Sequence, residues 1–156
     1  MRLKSHPVPA WANRLIDQIC TEEGVRKPSV TWQKVGRAGT SGVAWTHSIR
    51  MTVGTDRKNA KEALIHEMCH VVLGQTGALR GNRGHDAEFY AKLFEVGKRH
   101  RVGAAYIKAR ENGYKPRGVK AGYRLYLAQN RQPQATTLER VWGTFPPLEF
   151  PPLDKV

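Results

Sequence analysis

His66-Glu67-Met68-Cys69-His70 is the stretch of this sequence around which the rest of the chain can be arranged. Residues four apart lie one above the other on a helix, so the imidazoles of His66 and His70 would point to a common position. Glu67 would project from the flank of the same face, with a side chain long enough to reach a water molecule held there. Two histidines and a glutamate in this H-E-x-x-H order are typical of zinc peptidases, in which the histidines bind the metal and the glutamate is the general base.

Apolar residues on the far side of the same predicted helix distinguish a metal site from an ordinary buried histidine pair. With His66 at zero and about 100° per residue, five apolar residues centre at about 180°: Ala60, Leu64, Met68, Val71 and Val72. The helix would bury that face and present both histidines on the other, which a buried pair does not require. Cys69 lies near the ligand face, but small buried cysteines are common, so it is predicted to be a core residue.

The residues before the motif predict a helix followed by strands. Apolar residues recur at helical spacing over residues 8–23, and Gly24 is a typical residue to end such a helix. Residues 30–35 are strand-like. Residues 43–53 alternate between apolar and polar types, which predicts one long strand or two short ones with a break near 46–48.

Helices dominate the prediction from the motif onward, and Asp56 or Asn59 can cap the first of them. The predicted elements are a helix at about 60–75, a loop at 77–84, a helix at about 86–100, a short helix at 104–111 and a strand at 123–127. Three apolar residues of the second helix share a face with His85: Phe89, Leu93 and Val96. That face would hold the second helix against the first.

A catalytic zinc ion usually has three protein ligands and one water molecule, so a third ligand is expected. A metzincin would have a histidine six residues after His70, but that position is Thr76. The next candidates along the chain are His85, Glu88 and Glu95, and Glu88 would suit a thermolysin-like arrangement. Residue types alone leave these candidates open.

Residues 60–97 resemble the SprT-like metalloprotease family, the group that includes Spartan. The resemblance rests on H-E-x-C-H at 66–70 and on His85-Asp86-x-x-Phe89, which is similar to the family's H-G-x-x-F. Two features depart from the family: Asp86 stands where the family has glycine, and the chain cannot build the cysteine zinc ribbon that many relatives carry.

The resemblance implies that His66, His70 and His85 bind Zn²⁺ and that Glu67 is the catalytic base. It also implies an α+β fold, a minimal zincin-type domain with an N-terminal helix, a small sheet, the motif helix and a second helix bearing the third ligand. Strand 47–53 would offer its edge to an extended substrate. Four residues remain open as stabilisers of the oxyanion: Tyr90, His100, Tyr106 and Tyr114.

Length and cysteine content indicate one intracellular domain. The 156 residues suffice for one hydrophobic core, with a peptidase domain at 1–102 and a basic extension at 103–156 that packs on it and ends in a proline-rich tail. Two cysteines without C-x-x-C spacing fit a reducing compartment rather than a disulfide framework. No leader-like or membrane-spanning apolar run is present, so a cytoplasmic, nucleoid-associated location is expected.

Positive charge is concentrated after the motif. The chain has a net charge of +13, and residues 98–131 alone hold ten Lys and Arg residues against one acid, Glu111. The predicted nucleic-acid contacts in this segment are Lys98, Arg99, Arg101, Lys108, Arg110, Lys115, Arg117, Lys120 and Arg124. Cations interleaved with tyrosines suit phosphate neutralisation and base stacking, although a solvated basic face explains them equally well. The resemblance favours DNA, because relatives degrade proteins crosslinked to it.

The expected function is therefore that of a zinc metalloendopeptidase that cleaves protein substrates in association with DNA. One alternative is a regulatory peptidase of the ImmA/IrrE type, which shares H-E-x-x-H and cuts a specific protein. Another is a nucleic-acid-binding module whose zinc is structural and closed by a fourth protein ligand. The tail carries Phe-Pro-Pro-Leu twice, at 145–148 and 150–153, and is expected to be extended against the surface of this chain.

Overall fold

The computed structural model describes residues 5–37, 39–77 and 84–131. These residues form β1 (Ser5–His6), α1 (Ala10–Glu23), β2 (Ser29–Lys34), β3 (Ser41–Trp45), β4 (Ser48–Val53), α2 (Arg57–Gln75), α3 (Ala87–Arg99), α4 (Ala104–Glu111) and α5 (Pro116–Gln129). The predicted α+β class is confirmed: the described residues contain a small mixed sheet and five helices. None of the described helices has the length and apolar content needed to cross a membrane.

The four strands lie in the order β1-β2-β4-β3, with β2 and β4 parallel and the other neighbouring pairs antiparallel. The predicted break near 46–48 is confirmed, because β3 and β4 are separated by a turn at Thr46 and His47. The expectation that strand 47–53 offers a free edge is wrong. Ile49 of β4 pairs with Val30 on one side and Ala44 on the other, so β4 is internal and β3 is the outer strand next to it.

Helix α2 is the centre of the core. Its N-cap, Asp56, accepts hydrogen bonds from the backbone N–H groups of Lys58 and Asn59 at 2.9 and 3.3 Å, which satisfies two otherwise unpaired donors. The predicted apolar face is buried: Ala60, Leu64, Met68, Val71 and Val72. Cys69 is also fully buried, as predicted. Burial extends further round the helix than the sequence pattern indicated, because α2 contacts α1, α3, β3 and β4.

Helix α5 replaces the strand predicted at 123–127, and that prediction is wrong. Pro116 opens the helix at a position where its missing N–H costs nothing. The residues that α5 buries have helical spacing, Val119, Gly122 and Tyr126, whereas Leu127 of the predicted alternation is exposed. The Tyr-x-Leu-x-Leu pattern of residues 123–127 thus lies in a helix, and the buried residues of that helix begin at Val119, before the pattern starts.

Helices α4 and α5 both pack against α3. Gly97 of α3 allows this approach, since a Cβ atom there would lie 2.6 Å from Cδ1 of Ile107 in α4. Residues 104–131 therefore cover one side of the helix that follows His85. The middle of the predicted loop at 77–84 and the proline-rich tail lie outside the described residues.

Candidate metal centre

Three imidazoles converge between α2 and the start of α3. His66 and His70 occupy successive turns of α2, and His85 lies just before α3. The Nε2 atom of His85 is 3.0 Å from Nε2 of His66 and 3.2 Å from Nε2 of His70. The structure therefore brings together the three residues that the sequence nominated as metal ligands, and their donor atoms could reach one cation.

Two local features fix the position of the third histidine. Asp86, the residue that departs from the family motif, caps α3 by accepting a hydrogen bond from the backbone N–H of Phe89 at 3.0 Å. The Phe89 ring then lies 4.3 Å from the His70 ring, in a stacked arrangement, and 4.8 Å from the His66 ring. The cap at Asp86 fixes the start of α3, and Phe89 packs that start against the histidines of α2. Together they place His85 beside His66 and His70.

The geometry and protonation of the cluster fit a divalent metal ion such as zinc. Zinc–nitrogen distances of 2.0–2.1 Å in a tetrahedron place ligand nitrogens roughly 3.3 Å apart, close to the separations found here. Burial and the neighbouring imidazoles lower the pKa of His70 to about 3, and they also lower the pKa of His85. Both rings are therefore neutral near pH 7, the form in which histidine binds a metal.

The other two candidate ligands are directed elsewhere. Glu88 is exposed on α3. Glu95 forms an ion pair with Lys92 at 3.1 Å and lies 3.6 Å from Arg99. The structure thus brings His85, and neither glutamate, to the histidine pair of α2.

Glu67 lies beside the histidines and against the outer strand of the sheet. Its side chain is buried, and the backbone N–H of Ala44 in β3 donates a hydrogen bond to its carboxylate. Burial raises the pKa of Glu67 above its ordinary value, which the Ala44 hydrogen bond and the positive charge of a protonated His66 only partly offset. A carboxyl group whose pKa is raised holds a proton more readily than an ordinary glutamate, which suits a group that must accept one.

A cavity of about 450 Å³ opens over this cluster. Its walls come from β3 and the residue before it, α2, His85, the end of α4 and the segment that follows α4. They include Thr40, Ser41, Gly42, Val43, Ala44, Arg110 and Tyr114. Of the four residues left open as oxyanion stabilisers, Tyr114 lines this cavity, and its ring centre is 5.5 Å from that of His85. His100 contacts Glu22, Tyr106 contacts Asn59, and Tyr90 is buried with its hydroxyl directed to Glu111.

A layer of buried polar groups lies next to His66 and lines the same cavity through Glu62 and Glu111, and sequence reasoning missed these two carboxylates. Nδ1 of His66 is 2.9 Å from Oε1 of Glu111, and the Tyr90 hydroxyl donates to Oε2 of the same carboxylate at 3.2 Å. Glu62 is 1 % exposed, and its Oε2 lies 2.6 Å from Nε of Arg110. Two signals were present in the sequence: Glu62 precedes His66 by one helical turn, and Glu111 is the lone acid of a basic segment.

Charge coupling within this layer shifts several pKa values. Burial raises the pKa of Glu62 to about 7 despite the Arg110 guanidinium. Burial would lower the pKa of His66, but the hydrogen bond and negative charge of Glu111 raise it overall. The same contact lowers the pKa of Glu111, although burial opposes the shift. Within the protein, His66 and Glu111 therefore each stabilise the charged form of the other.

The predicted nucleic-acid contacts fall into two groups. Arg110 is paired with Glu62 at the cavity, and Arg99 forms ion pairs with Glu22 and Glu23 of α1. The other seven have no ion pair to any described residue: Lys98, Arg101, Lys108, Lys115, Arg117, Lys120 and Arg124. Of these, Lys108 lies over the Tyr123 ring, with Nζ 3.2 Å from the ring centre, and the others are exposed.

Neither a curated protein nor a solved structure matches the chain. A family model described as the SprT-like family matches residues 12–111, which is well over half of the chain. The match runs from α1 to the last residue of α4 and includes the three histidines, Glu67 and Glu111. The resemblance based on the two ligand motifs is confirmed: this chain belongs to the SprT-like family, and the matched residues form a metallopeptidase-like domain.

Proposed function

We propose that this protein is a zinc-dependent endopeptidase with a zincin-type arrangement. His66, His70 and His85 would hold the metal, and Glu67 would be the general base. The observation that carries the proposal is the approach of three Nε2 atoms to within hydrogen-bonding distance, beside a buried carboxylate and at an open cavity. A purely structural zinc site would need a fourth protein ligand, and a catalytic one keeps a position for water.

The chemistry can be assigned to the residues around the cavity. When bound, zinc would polarise the scissile carbonyl and acidify a water molecule. Glu67 would accept a proton from that water and donate it to the leaving amine, and its raised pKa suits both steps. The backbone N–H of Ala44 would hold the carboxylate in place between them.

Strand β3 is the proposed docking edge for substrate. It is the outer strand of the described sheet, and residues 40–44 form one wall of the cavity. An extended peptide can add to such an edge through backbone hydrogen bonds, which gives affinity without demanding a particular sequence. On the cavity wall β3 carries the small residues Gly42 and Ala44, and Gly42 lies directly against the Glu67 side chain, so a peptide added to this edge would lie next to the proposed base.

The decisive experiment is Glu67→Gln. The variant should bind zinc with wild-type stoichiometry, measured by elemental analysis, and should lose cleavage of an unfolded protein substrate. Glu88→Gln is the matched control, because it makes the same change at an exposed position of α3. Cleavage by Glu67→Gln at the wild-type rate would refute the assignment of the base, and a chain that binds no zinc would refute the metallopeptidase proposal.

Association with DNA is the second part of the proposal. It is supported by the exposed cations of α5, among them Lys120 and Arg124, which have no ion pair to any described residue. DNA affinity should fall steeply with rising salt, since each phosphate contact releases counterions. Lys120→Ala/Arg124→Ala should weaken binding and flatten the salt dependence. Lys34→Ala/Arg37→Ala, which removes the same charge from the sheet side, is the control.

Assays with and without DNA separate this proposal from its main alternative. A DNA-associated peptidase should cleave faster when DNA is present, whereas a regulatory peptidase of the ImmA/IrrE type should cut one specific protein at a rate that DNA does not alter. A flat salt dependence of DNA binding would count against the basic segment as a nucleic-acid contact.

A further inference from the structure

We propose that Glu111 is a positioning residue of the metal centre, which fixes the His66 imidazole in the orientation and tautomer that metal binding requires. This inference rests on the proposed metal site. The carboxylate is 7 % exposed, comes from the end of α4, and is separated from His66 by 45 positions in the sequence. Its two oxygens face two different groups, so its position is fixed from both sides.

The contact determines which nitrogen of His66 is free to bind a metal. An ionised carboxylate only accepts hydrogen bonds, so the Nδ1 atom of His66, 2.9 Å from Oε1 of Glu111, must carry a proton. A neutral imidazole has one N–H, and its other nitrogen then presents a lone pair. That other nitrogen is Nε2, the atom that meets Nε2 of His85 at 3.0 Å. Glu111 thereby selects the tautomer that directs a lone pair to the metal position.

Tyr90 holds the other end of the carboxylate. Its ring is fully buried on α3, and its hydroxyl donates to Oε2 of Glu111 at 3.2 Å. The same hydroxyl is thus unavailable as an oxyanion stabiliser at the cavity. Helix α5 packs directly on Tyr90, since a Cβ atom at Gly118 would lie 3.0 Å from the tyrosine Cε2. The orientation of His66 therefore depends on α3, α4 and α5 together.

A second cation is an alternative explanation of the same carboxylates. Donor atoms of Glu62, His66 and Glu111 also lie close enough together to share an ion. The Arg110 guanidinium already supplies a positive charge there, with Nε 2.6 Å from Oε2 of Glu62. Glu111 in turn already contacts an imidazole N–H and a hydroxyl. We therefore assign Glu111 to the support of one metal site rather than to a second site.

The test is the zinc affinity of a graded series, measured by competition with a chromophoric chelator. Glu111→Gln keeps the size of the side chain and an acceptor oxygen but removes the charge, and Glu111→Ala removes both. Loss of a hydrogen-bond partner of a metal-bound histidine typically weakens metal binding about 10–100-fold. We expect Glu111→Gln near the lower end of that range and Glu111→Ala near the upper end. Glu88→Ala, at an exposed carboxylate, should leave the affinity unchanged.

A spectroscopic measurement separates positioning from a general loss of stability. In the zinc-loaded protein labelled with ¹⁵N-histidine, the Nδ1–H proton of His66 should resonate downfield, as expected for a carboxylate acceptor, and should move upfield in Glu111→Gln. Zinc affinity of Glu111→Gln within twofold of wild type, with an unmoved His66 signal, would overturn the proposal. If the wild-type protein cleaves substrate but the Glu111 variants bind zinc as tightly as wild type, only the role of Glu111 fails. If the series is graded but wild type cleaves nothing, only the peptidase function fails.

Discussion

Gly42 lies so close to Glu67 that a Cβ atom at Gly42 would come within 2.6 Å of the Glu67 Cγ and 2.8 Å of its Oε1. Contacts of this length essentially never occur, so any side chain at position 42 must displace the glutamate or the strand. Two residues along, the backbone N–H of Ala44 donates to the same carboxylate. The outer strand of the sheet thus sets the position of the proposed catalytic base.

Gly42→Ala should therefore impair cleavage without removing the metal. A displacement of about 1 Å at a reacting group can reduce the rate about 100-fold, and we expect an effect of this order on kcat. Zinc stoichiometry should be unchanged, because the three atoms nearest to a Cβ at position 42 all belong to Glu67 and none to a metal-binding histidine. Gly39→Ala is the control, since a Cβ atom there meets open space. Equal activity of the two variants would show that β3 does not hold Glu67.

Gly122→Ala should destabilise the protein through the contact between α5 and α3. Its Cβ would lie 2.3 Å from Cβ of Tyr90 and 2.9 Å from the backbone oxygen of Ala87, and neither atom belongs to a flexible chain end. Replacing glycine within a helix would by itself stabilise by about 1 kcal/mol. Overpacking should outweigh this gain and leave a net loss of about 1–3 kcal/mol in the free energy of unfolding. Urea denaturation measures it, and Gly113→Ala, in open space, serves as the comparison.

The ion pairs of Glu23 should make the free energy of unfolding depend on pH in the acidic range. Burial raises its pKa, but hydrogen bonds from Arg99 and Lys92 outweigh burial, so the pKa is lowered overall. A carboxyl group with a lowered pKa stabilises the fold above its unfolded pKa of about 4.3, and the stabilisation is lost as pH falls through the folded value.

Glu23→Gln should accordingly reduce the free energy of unfolding by about 1–2 kcal/mol at pH 7. The difference from wild type should begin to shrink as the pH falls below the unfolded pKa of about 4.3, and it should vanish once the pH is below the lowered folded value, where the wild-type carboxyl is also protonated. Asp17→Asn is the control, because its ion pair with Lys27 is solvent-exposed and should contribute little. A deficit of Glu23→Gln that stays constant with pH would contradict the ion-pair explanation.

Metal removal should lower the thermal stability of the wild-type protein. A ligand present at 100 times its dissociation constant stabilises the folded state by about 2.7 kcal/mol, and a chelator such as EDTA should abolish this contribution. His85→Ala should reduce the response to chelator, measured by the melting temperature with and without EDTA. His47→Ala, at an exposed position of the turn between β3 and β4, should respond like wild type. An identical response of both variants would exclude His85 from the metal site.

The sequence predicts local features of this fold well, because each depends on neighbouring residues. Three such features follow from short-range patterns and were confirmed: an N-cap at one of the two candidates, Asp56, the buried stripe of α2, and the break near Thr46. The left-handed conformation of Gly24, with φ of 65°, ends α1 where a glycine was expected to end it.

What the sequence does not predict depends on long-range packing. The internal position of β4 follows from pairing with β2, which lies nearly twenty positions earlier in the chain. Residues 123–127 belong to α5, which approaches Tyr90 of α3 closely at Gly122, and the local alternation of residue types does not encode this long-range packing. Glu111 reaches His66 only because α4 turns back over α3, and no local spacing encodes that return.

The adjacent residues Arg110 and Glu111 carry a practical consequence for anyone who wishes to shorten this protein. A chain truncated at residue 102, where the peptidase segment was expected to end, would lack both. The imidazole of His66 and the hydroxyl of Tyr90 would then lose their common acceptor, and Glu62 would be a buried carboxylate without its cation. The smallest fragment able to fold around an intact metal centre must therefore include α4 to its last residue, even though the sequence motifs end much earlier.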